Sequence, residues 1–486
     1  MKKYYAVLDL GTYKISMALR LVDDRTQSDT LVYAVETSYG FDEKGMVSNH
    51  IHVSRTLRNL CDEIEKQTSV RVKEVYVAYR GGEIATVVDT FEVKCSSVED
   101  GVTSVAKKDF EELNESYKKH PFPADKVLID HHVLEYFVDD KRVDNRDFVG
   151  DYAQTISCRC LLFYASRMGY ERLLDVFKKV NLVCKGTYVG LRADGAYLFE
   201  HERHYAVGLV NIGYSHSELG LYRDGVLEKY FYFQGGWSHD RRELREKDVL
   251  IRREDLEEPA LKKLDLGKVE LKAYAKPEDN PSLPPSVEDD AEEEVSLNHR
   301  EGAKKEGVVD PLLDRIAARF MRTYFRNIRL TIENEKDANL LLSQNGGLFF
   351  TGGLVQIPGF VDYFNKFLEV KSCKEIYKGH LISLVKPSMK PCQSEHANDG
   401  MPSLMTMLGV LTLVEQERRP FTVIEEPKVE EIVPPQVTEE TPVAEPEELV
   451  EKKTPWYLRF WNWFVRLFED MFRDDSTTYD SSQSEK

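Results

Sequence analysis

Two stretches about two hundred residues apart follow one pattern, and this repetition constrains the fold more than any other feature of the chain. Residues 4–10 alternate toward a strand, Gly11-Thr12-Tyr13-Lys14 makes a turn, and Ile15 to Val22 reads as a second strand. Tyr205 to Asn211, Gly213-Tyr214-Ser215 and His216 to Tyr222 repeat that order. Arg223-Asp224-Gly225 then turns the chain into Val226 to Phe233. An internal echo of this kind predicts two related halves around a cleft.

The segments between the two hairpins predict an α/β layout with helices behind a sheet. A third strand reads at 31–37 and another at Val75 to Tyr79. From Val53 to Gln67, the residues Leu57, Leu60, Cys61 and Ile64 share one helical face. Residues 83–165 read as a small α+β unit, with strands near 86–95, 127–138 and 155–164 and a charged helix at 107–119. Gly169 to Val180 returns to helix. Pro311 opens a helix to about Asn334, Leu348-Phe349-Phe350 is a buried strand running into Thr351-Gly352-Gly353, and Pro402 to Leu413 is a last apolar helix.

Charge and composition narrow the function classes. The formal net charge of −18 argues against a nucleic-acid partner, because phosphate backbones attract basic faces. The acidic excess is concentrated in 274–301 and 425–451, both Pro-containing and poor in aromatics. Residues 275–306 read as a disordered insertion and 421–453 as a Pro- and Glu-rich linker. Seven cysteines at irregular spacing suggest reduced thiols rather than a disulfide framework. Cys158 and Cys160 point to one face of a strand, and strand packing accounts for them without a metal. The apolar run Tyr4 to Leu8 ends in Asp9 and is too short for a signal peptide, and no run of about 18 apolar residues occurs.

The first hairpin tip has a clear chemical use. Backbone N–H groups at Gly11 and Thr12 can cradle phosphate oxygens. Asp9 at a strand end can hold the waters of a magnesium ion, and Lys14 can neutralise phosphate charge. A tight turn also uses glycine for its backbone freedom alone, so one tip by itself assigns no chemistry. Three loops in order say more: Asp-x-Gly-Thr, a second glycine-containing hairpin turn, and Thr-Gly-Gly after an apolar strand.

That triplet resembles the two phosphate loops and the adenosine loop of the actin, Hsp70 and sugar-kinase superfamily. Within it the chain resembles the FtsA family of bacterial division proteins over about 1–240 and 310–420. Phe122-Pro123-Ala124-Asp125-Lys126 to Val138-Asp139, followed by Phe148-Val149-Gly150, matches that family's inserted 1C subdomain. The resemblance implies a two-lobed, ribonuclease H-like actin fold. Its subdomain 1A would be 1–82 and 166–204, 1C 83–165, 2A 205–240 and 340–420, and a divergent 2B 241–339. It also implies ATP with Mg²⁺ as cofactor, held by Asp9, Gly11, Thr12 and Lys14, with Gly213 in the second phosphate loop and Gly352 and Gly353 beside the adenosine. The second loop departs from the family. Asn211-Ile212-Gly213-Tyr214-Ser215-His216 stands where Asp-Ile-Gly-Gly-Gly-Thr is usual, so a carboxylate is lost and a ring added. Leu354 replaces a third glycine. These changes point to a scaffold more than an enzyme.

The far end of the sequence carries its own signal. Thr454 can cap a helix and Pro455 suits its first position. On a helical wheel of 456–473, Arg459, Asn462, Arg466, Glu469, Asp470 and Arg473 fall on one narrow arc. Trp456, Tyr457, Leu458, Phe460, Trp461, Trp463, Phe464, Val465, Leu467, Phe468, Met471 and Phe472 fill the rest, and eight of these twelve are aromatic, the type that favours the headgroup boundary. Such a face after a long linker predicts a membrane-targeting helix at 454–475, with a disordered tail at 476–486. Lys452, Lys453, Arg459 and Arg466 would meet anionic headgroups, and the linker would reach roughly 30 Å.

Arg315, Arg319, Arg322, Arg326 and Arg329 form a basic line along the 311–334 helix. It reads as a solvated face, or as a dock for an acidic peptide. The expected role is to tether FtsZ filaments, through the FtsZ C-terminal tail, to the inner face of the cytoplasmic membrane at the division site. Self-association into filaments and recruitment of later division proteins through 1C are implied by the same resemblance. The alternatives are a nucleotide-hydrolysing phosphotransferase of the superfamily and a PilM-like pilus assembly protein, from which the 454–473 segment distinguishes the chain.

Overall fold

A computed structural model describes residues 2–234 apart from 27, 43, 100–101, 144–147 and 200–205. It also describes 325–335 apart from 329 and 333, 347–364 apart from 361, and 379–381, 390–391 and 401–424. The chain divides into two units, 1–425 and 426–486, and the described residues all belong to the first. The acidic insertion, residues 425–453 of the expected linker, the 454–475 segment and Arg315, Arg319, Arg322 and Arg329 lie outside the described residues.

Along the chain the elements are β1 (Lys2–Leu10), β2 (Lys14–Asp23), β3 (Ser28–Thr37), α1 (His50–Thr68), β4 (Glu74–Tyr79), β5 (Ala85–Lys94), β6 (Ser97–Glu99) and β7 (Val102–Ser104). Then come α2 (Lys107–Ser116), β8 (Lys126–Val138), β9 (Lys141–Val143), β10 (Thr155–Ser166), α3 (Arg167–Lys179), β11 (Val183–Val189) and α4 (Gly190–Leu198). The last are β12 (Ala206–Ile212), β13 (His216–Arg223), β14 (Val226–Gln234), β15 (Leu348–Thr351), β16 (Gly379–Leu381), β17 (Lys390–Pro391), α5 (Met401–Gln416) and β18 (Thr422–Val423).

Two sheets share one topology. In the first, β1, β2 and β3 form an antiparallel meander, and β4 and β11 extend it parallel to β1, in the order β11-β4-β1-β2-β3. In the second, β12, β13 and β14 form the meander and β15 and β16 run parallel to β12, in the order β14-β13-β12-β15-β16. The repeated order is the duplicated ribonuclease H-like plan of the actin fold. β17 adds to the edge of the first sheet beside β3.

Strand β1 shows why the first sheet lies between helices. Alternate residues of a strand point to opposite faces. Tyr4, Ala6, Leu8 and Leu10 pack in one core with Val53, Leu57, Leu60 and Ile64 of α1. Tyr5 and Val7 pack in another with Leu404, Met407, Val410, Leu411 and Val414 of α5. A strand covered on both faces reads as a nearly continuous apolar run, as Tyr4 to Leu8 does. Asn49 caps α1 by accepting from the amides of Ile51 and His52 at 3.1 and 3.2 Å. Ser69 ends it in the left-handed region at φ 57°.

Between β4 and α3 the chain inserts a separate antiparallel sheet, β5-β10-β8-β9, with α2 packed on it. Its core gathers Leu113, Tyr117, Tyr136, Phe148, Ile156, Cys158, Cys160 and Leu162. Cys158 and Cys160 are buried with their Sγ atoms 3.4 Å apart on one face of β10. Under β15, Phe325, Phe350, Phe360 and Phe364 pack edge to face, with Phe350 and Phe364 centroids 4.6 Å apart. Phe325, Ile328 and Ile332 are buried there, and Arg326 faces solvent.

Residues 421–424, expected to open the linker, pack on the body instead. Phe421 stacks on Tyr5 at 3.8 Å between centroids, and β18 pairs antiparallel with Lys3 and Tyr4 of β1. The aromatic ring and the strand pairing bind 421–424 to the body; the Pro and Glu residues that mark a linker come after them. Among the described residues no helix is long and apolar enough to cross a membrane.

Candidate functional site

The carboxyl ends of β1, β4, β12 and β15 converge, and open α/β sheets bind ligands at such ends. The two hairpin tips are built alike. Leu10 pairs with Ile15 and Ile212 with Ser217, leaving 11–14 and 213–216 as the tips. A Cβ on Gly11 would lie 2.6 Å from the Lys14 carbonyl oxygen, and one on Gly213 2.7 Å from that of His216. Both turns therefore need glycine for close backbone approach.

The tips also meet. Ser215 Oγ donates to Thr12 Oγ1 at 2.8 Å, and the rings of Tyr13 and Tyr214 lie 5.3 Å apart. The second residue of one tip thus touches the third residue of the other, twice over, as a pseudo-twofold relation requires. Lys14 opens β2 half-buried. Gly352, with φ at 100°, packs where a Cβ would come within 2.4 Å of the Ile212 carbonyl oxygen. Gly353 has open space around it.

At the floor between the tips, Arg80 follows directly after β4 and is buried. Its Nε donates to Asp9 Oδ1 at 3.4 Å. One terminal nitrogen donates to Asp194 at 2.9 Å and to Thr406 Oγ1 at 2.7 Å, and the other bonds Glu218. Asp194 further accepts from Asn211 Nδ2 at 2.7 Å and Thr406 Oγ1 at 2.6 Å, and Glu218 from the Tyr230 hydroxyl at 2.7 Å. Asp9, Asp194 and Thr406 belong to the half built on the first sheet; Asn211, Glu218 and Tyr230 belong to the second. Gly190 at the start of α4 makes room, since a Cβ there would come within 2.4 Å of the Arg80 Cζ.

Burial governs the electrostatics. It pushes the Asp9 carboxyl up to about 6 and Glu218 up to about 7, with Arg80 pulling both back. Burial opposes the Arg80 charge, but Asp194, Glu218 and Asp9 outweigh it and hold the guanidinium well above its ordinary range. His216 is buried close by; burial, then the charge of Arg80, pushes its imidazole down to about 3.

Sequence reasoning placed Asp9, Gly11, Thr12 and Gly213 at the hairpins and Gly352 and Gly353 after β15, and these residues surround the convergence. It missed Arg80, Asp194, Glu218, Tyr230 and Thr406. A signal existed: Glu218 directly precedes the apolar run of β13, and Arg80 ends that of β4, and a charge set against a buried strand requires a partner.

These residues do not fit a magnesium nucleotide as they stand. The Asp9 carboxylate is held by a guanidinium, whose charge would repel a cation set beside it. The Gly213 amide donates to the His216 carbonyl inside its own tip at 3.0 Å, and so is not turned toward a phosphate. Among the described residues no group of three or more His, Cys, Asp or Glu is arranged to hold a metal ion.

No family model and no curated protein matches the chain. Among solved structures, it is similar to a PilM-PilN type IV pilus biogenesis complex at 14% identity and TM-score 0.47, covering 84% of this chain and 97% of that one. It is similar to EutJ, an ethanolamine utilization protein of Carboxydothermus hydrogenoformans, at 12% identity and TM-score 0.40, covering 85% and 89%. It is similar also to MreB5 of Spiroplasma citri bound to ADP, at 10% identity and TM-score 0.41, covering 86% and 97%. Likenesses this distant add nothing to the topology already described, on which the fold rests.

Proposed function

We propose that this chain is an actin-like scaffold of the bacterial division machinery that tethers FtsZ filaments to the inner face of the cytoplasmic membrane. The observation that carries the reading is the 456–472 segment, whose apolar arc has no polar interruption and is two-thirds aromatic. A face of that width, set after a Pro/Glu-rich stretch, needs a partner, and a lipid surface suits its aromatic content. Three arginines among 456–473 weigh against a spanning role and suit anionic headgroups. One such helix binds reversibly; many carried on one filament gain avidity, so the tether anchors when its partner is assembled.

In this reading the inserted β5-β10-β8-β9 sheet is the counterpart of the division family's 1C unit and would recruit later division proteins. Arg326, exposed on the helix of the basic line, is one of the arginines that would dock an acidic peptide such as the FtsZ tail. The phosphotransferase reading requires a cleft that accepts magnesium and phosphate. Arg80 in ion pairs with Asp9, Asp194 and Glu218 weighs against it. Nucleotide is for this protein a ligand to be tested, and scaffolding needs none turned over.

Co-sedimentation with anionic liposomes tests the reading, using the full chain and a truncation after Glu451, each with and without FtsZ. The full chain should carry FtsZ to the pellet and the truncation should leave it in solution. Recruitment that survives truncation refutes the tether.

A further inference from the structure

We infer that two copies of this chain associate through β5: the outer edge of the inserted sheet pairs antiparallel with the same edge of a second copy, about a two-fold axis at Val93. The inference is independent of the tether and rests on the inserted sheet alone.

Strand β5 ends the order β5-β10-β8-β9, so one side of its backbone lies outside the ladder. The Cys95 amide turns inward, to the Gln154 carbonyl at 2.9 Å, and by alternation those of Thr90, Glu92, Lys94 and Ser96 turn outward. Both ends of this outward run are satisfied by side chains. The Thr90 amide donates to Asp89 Oδ1 at 2.8 Å and the Ser96 amide to Asp109 Oδ2 at 3.1 Å. Between them, the Glu92 and Lys94 amides have no partner among the described residues, and their side chains are exposed. An edge of this kind is a template for one more strand.

The charges on the edge select which strand. Antiparallel strands pair residues whose backbone groups face each other, so an axis at Val93 sets Glu92 opposite Lys94 of the copy and Lys94 opposite its Glu92. Each pairing joins exchanged backbone hydrogen bonds to an ion pair, and the Val93 side chains meet between them. An axis at Glu92 would set that carboxylate against itself. One at Phe91 would match Glu92 with Thr90, whose amide is already bonded to Asp89. The helix above the edge carries the same complementarity. α2 runs antiparallel to β5, with Ser96 Oγ donating to Asp109 at 2.5 Å near one end and His120 bonded to Asp89 at 2.6 Å just past the other. The groove between them is lined by Glu112 and, beyond α2, by Lys119. The two-fold axis reverses the helix, so Glu112 of each copy approaches the Lys119 end of the other. Because β5 leaves the body at Ala85, the same axis sets the two bodies at opposite ends of the joint ladder. A short ladder with exposed ion pairs is a small contact, of the size of a transient one.

The test uses the full-length protein, its Glu92→Lys and Lys94→Glu variants and the variant carrying both. Both positions are exposed, so each variant should fold, which thermal melting verifies. Sedimentation at micromolar concentration should show the parent in a monomer–dimer equilibrium. Either single reversal sets like charges opposite each other at both pairings and should weaken the dimer about tenfold or more. The double variant restores opposite charges and should dimerise as the parent does. Mixing the two single variants, each with its own fluorescent label, should recover a dimer holding one chain of each. A parent that stays monomeric overturns the inference, whether its edge stays unpaired or takes a strand of another protein. Association that the single reversals leave unchanged overturns it too, because the contact then lies elsewhere.

Discussion

Ser215 Oγ donates a hydrogen bond to Thr12 Oγ1 at 2.8 Å, joining the tips of two hairpins that lie in different halves of the body. Ser215 is buried and Thr12 half-buried, so this is a desolvated contact between neutral groups. Each of Thr12→Val and Ser215→Ala should cost about 1 kcal/mol. In a double-mutant cycle read from urea midpoints the pair should show a coupling of at least about 0.5 kcal/mol. Strict additivity would mean that the tips do not hold each other.

Glycines at the site divide sharply by what a methyl group would meet. At Gly190 it would meet the Arg80 guanidinium, and at Gly352 the Ile212 carbonyl oxygen on a backbone already at positive φ. Ala at either position should destabilise the protein by about 1–3 kcal/mol or more. At Gly353, where nothing lies within 4 Å, Ala should change stability by about 0.5 kcal/mol or less. Denaturant unfolding of the three variants side by side checks the order.

Two buried groups near Arg80 should leave opposite marks on stability against pH. His216 is held down at about 3 from an ordinary 6.5, so between those values the unfolded chain binds the extra proton. Its contribution is whole above pH 6.5 and falls as pH drops toward 3, at about 1.4 kcal/mol per unit. Glu218 is held up at about 7 from 4.5, so the folded state binds the proton more tightly. Its contribution is whole below pH 4.5 and lost as pH rises through 7. His216→Gln should therefore raise stability at pH 5 relative to pH 8 when compared with the parent. Glu218→Gln should lower it in the same comparison. Urea midpoints at the two pH values give both signs.

For the proposed tether, a charge placed in the apolar arc should be costly. Trp461→Glu removes a large apolar side chain and adds a group that anionic lipid repels. Losing one such side chain from the lipid is worth about 1.5–3 kcal/mol, so liposome affinity should fall about tenfold or more. Asn462→Ser, on the polar arc, should leave partitioning near the parent value. Equal behaviour of the two variants would remove the lipid-facing assignment of the arc.

Much of the fold was legible in sequence because it is written in local periodicity. The tips at Gly11 and Gly213, the helical face of Leu57, Leu60 and Ile64, and the strand before Thr351 depend on neighbours within a few positions. The Arg80 cluster was not legible, because its partners are joined only by the folded chain. Arg80 and Glu218 are 138 positions apart, and Arg80 and Thr406 326. A charged residue closing an apolar strand announces that it needs a partner but not which one. The end of the body was misread for a related reason. Phe421 and Thr422 sit next to a Pro/Glu-rich stretch, and their partners Tyr5 and Glu74 are at the other end of the sequence.

Strand β18 joins β1 at Lys3 and Tyr4, while Asp9 lies near the other end of that same strand. Whatever pulls on the chain beyond residue 424 therefore applies its load first to β1, the central strand of the first sheet. Tension reaching Asp9 along that strand would bear on its contact with Arg80. Mechanical strain at the point where the tail departs and the firmness of the joint between the two halves are, by this arrangement, read out on a single rod of backbone.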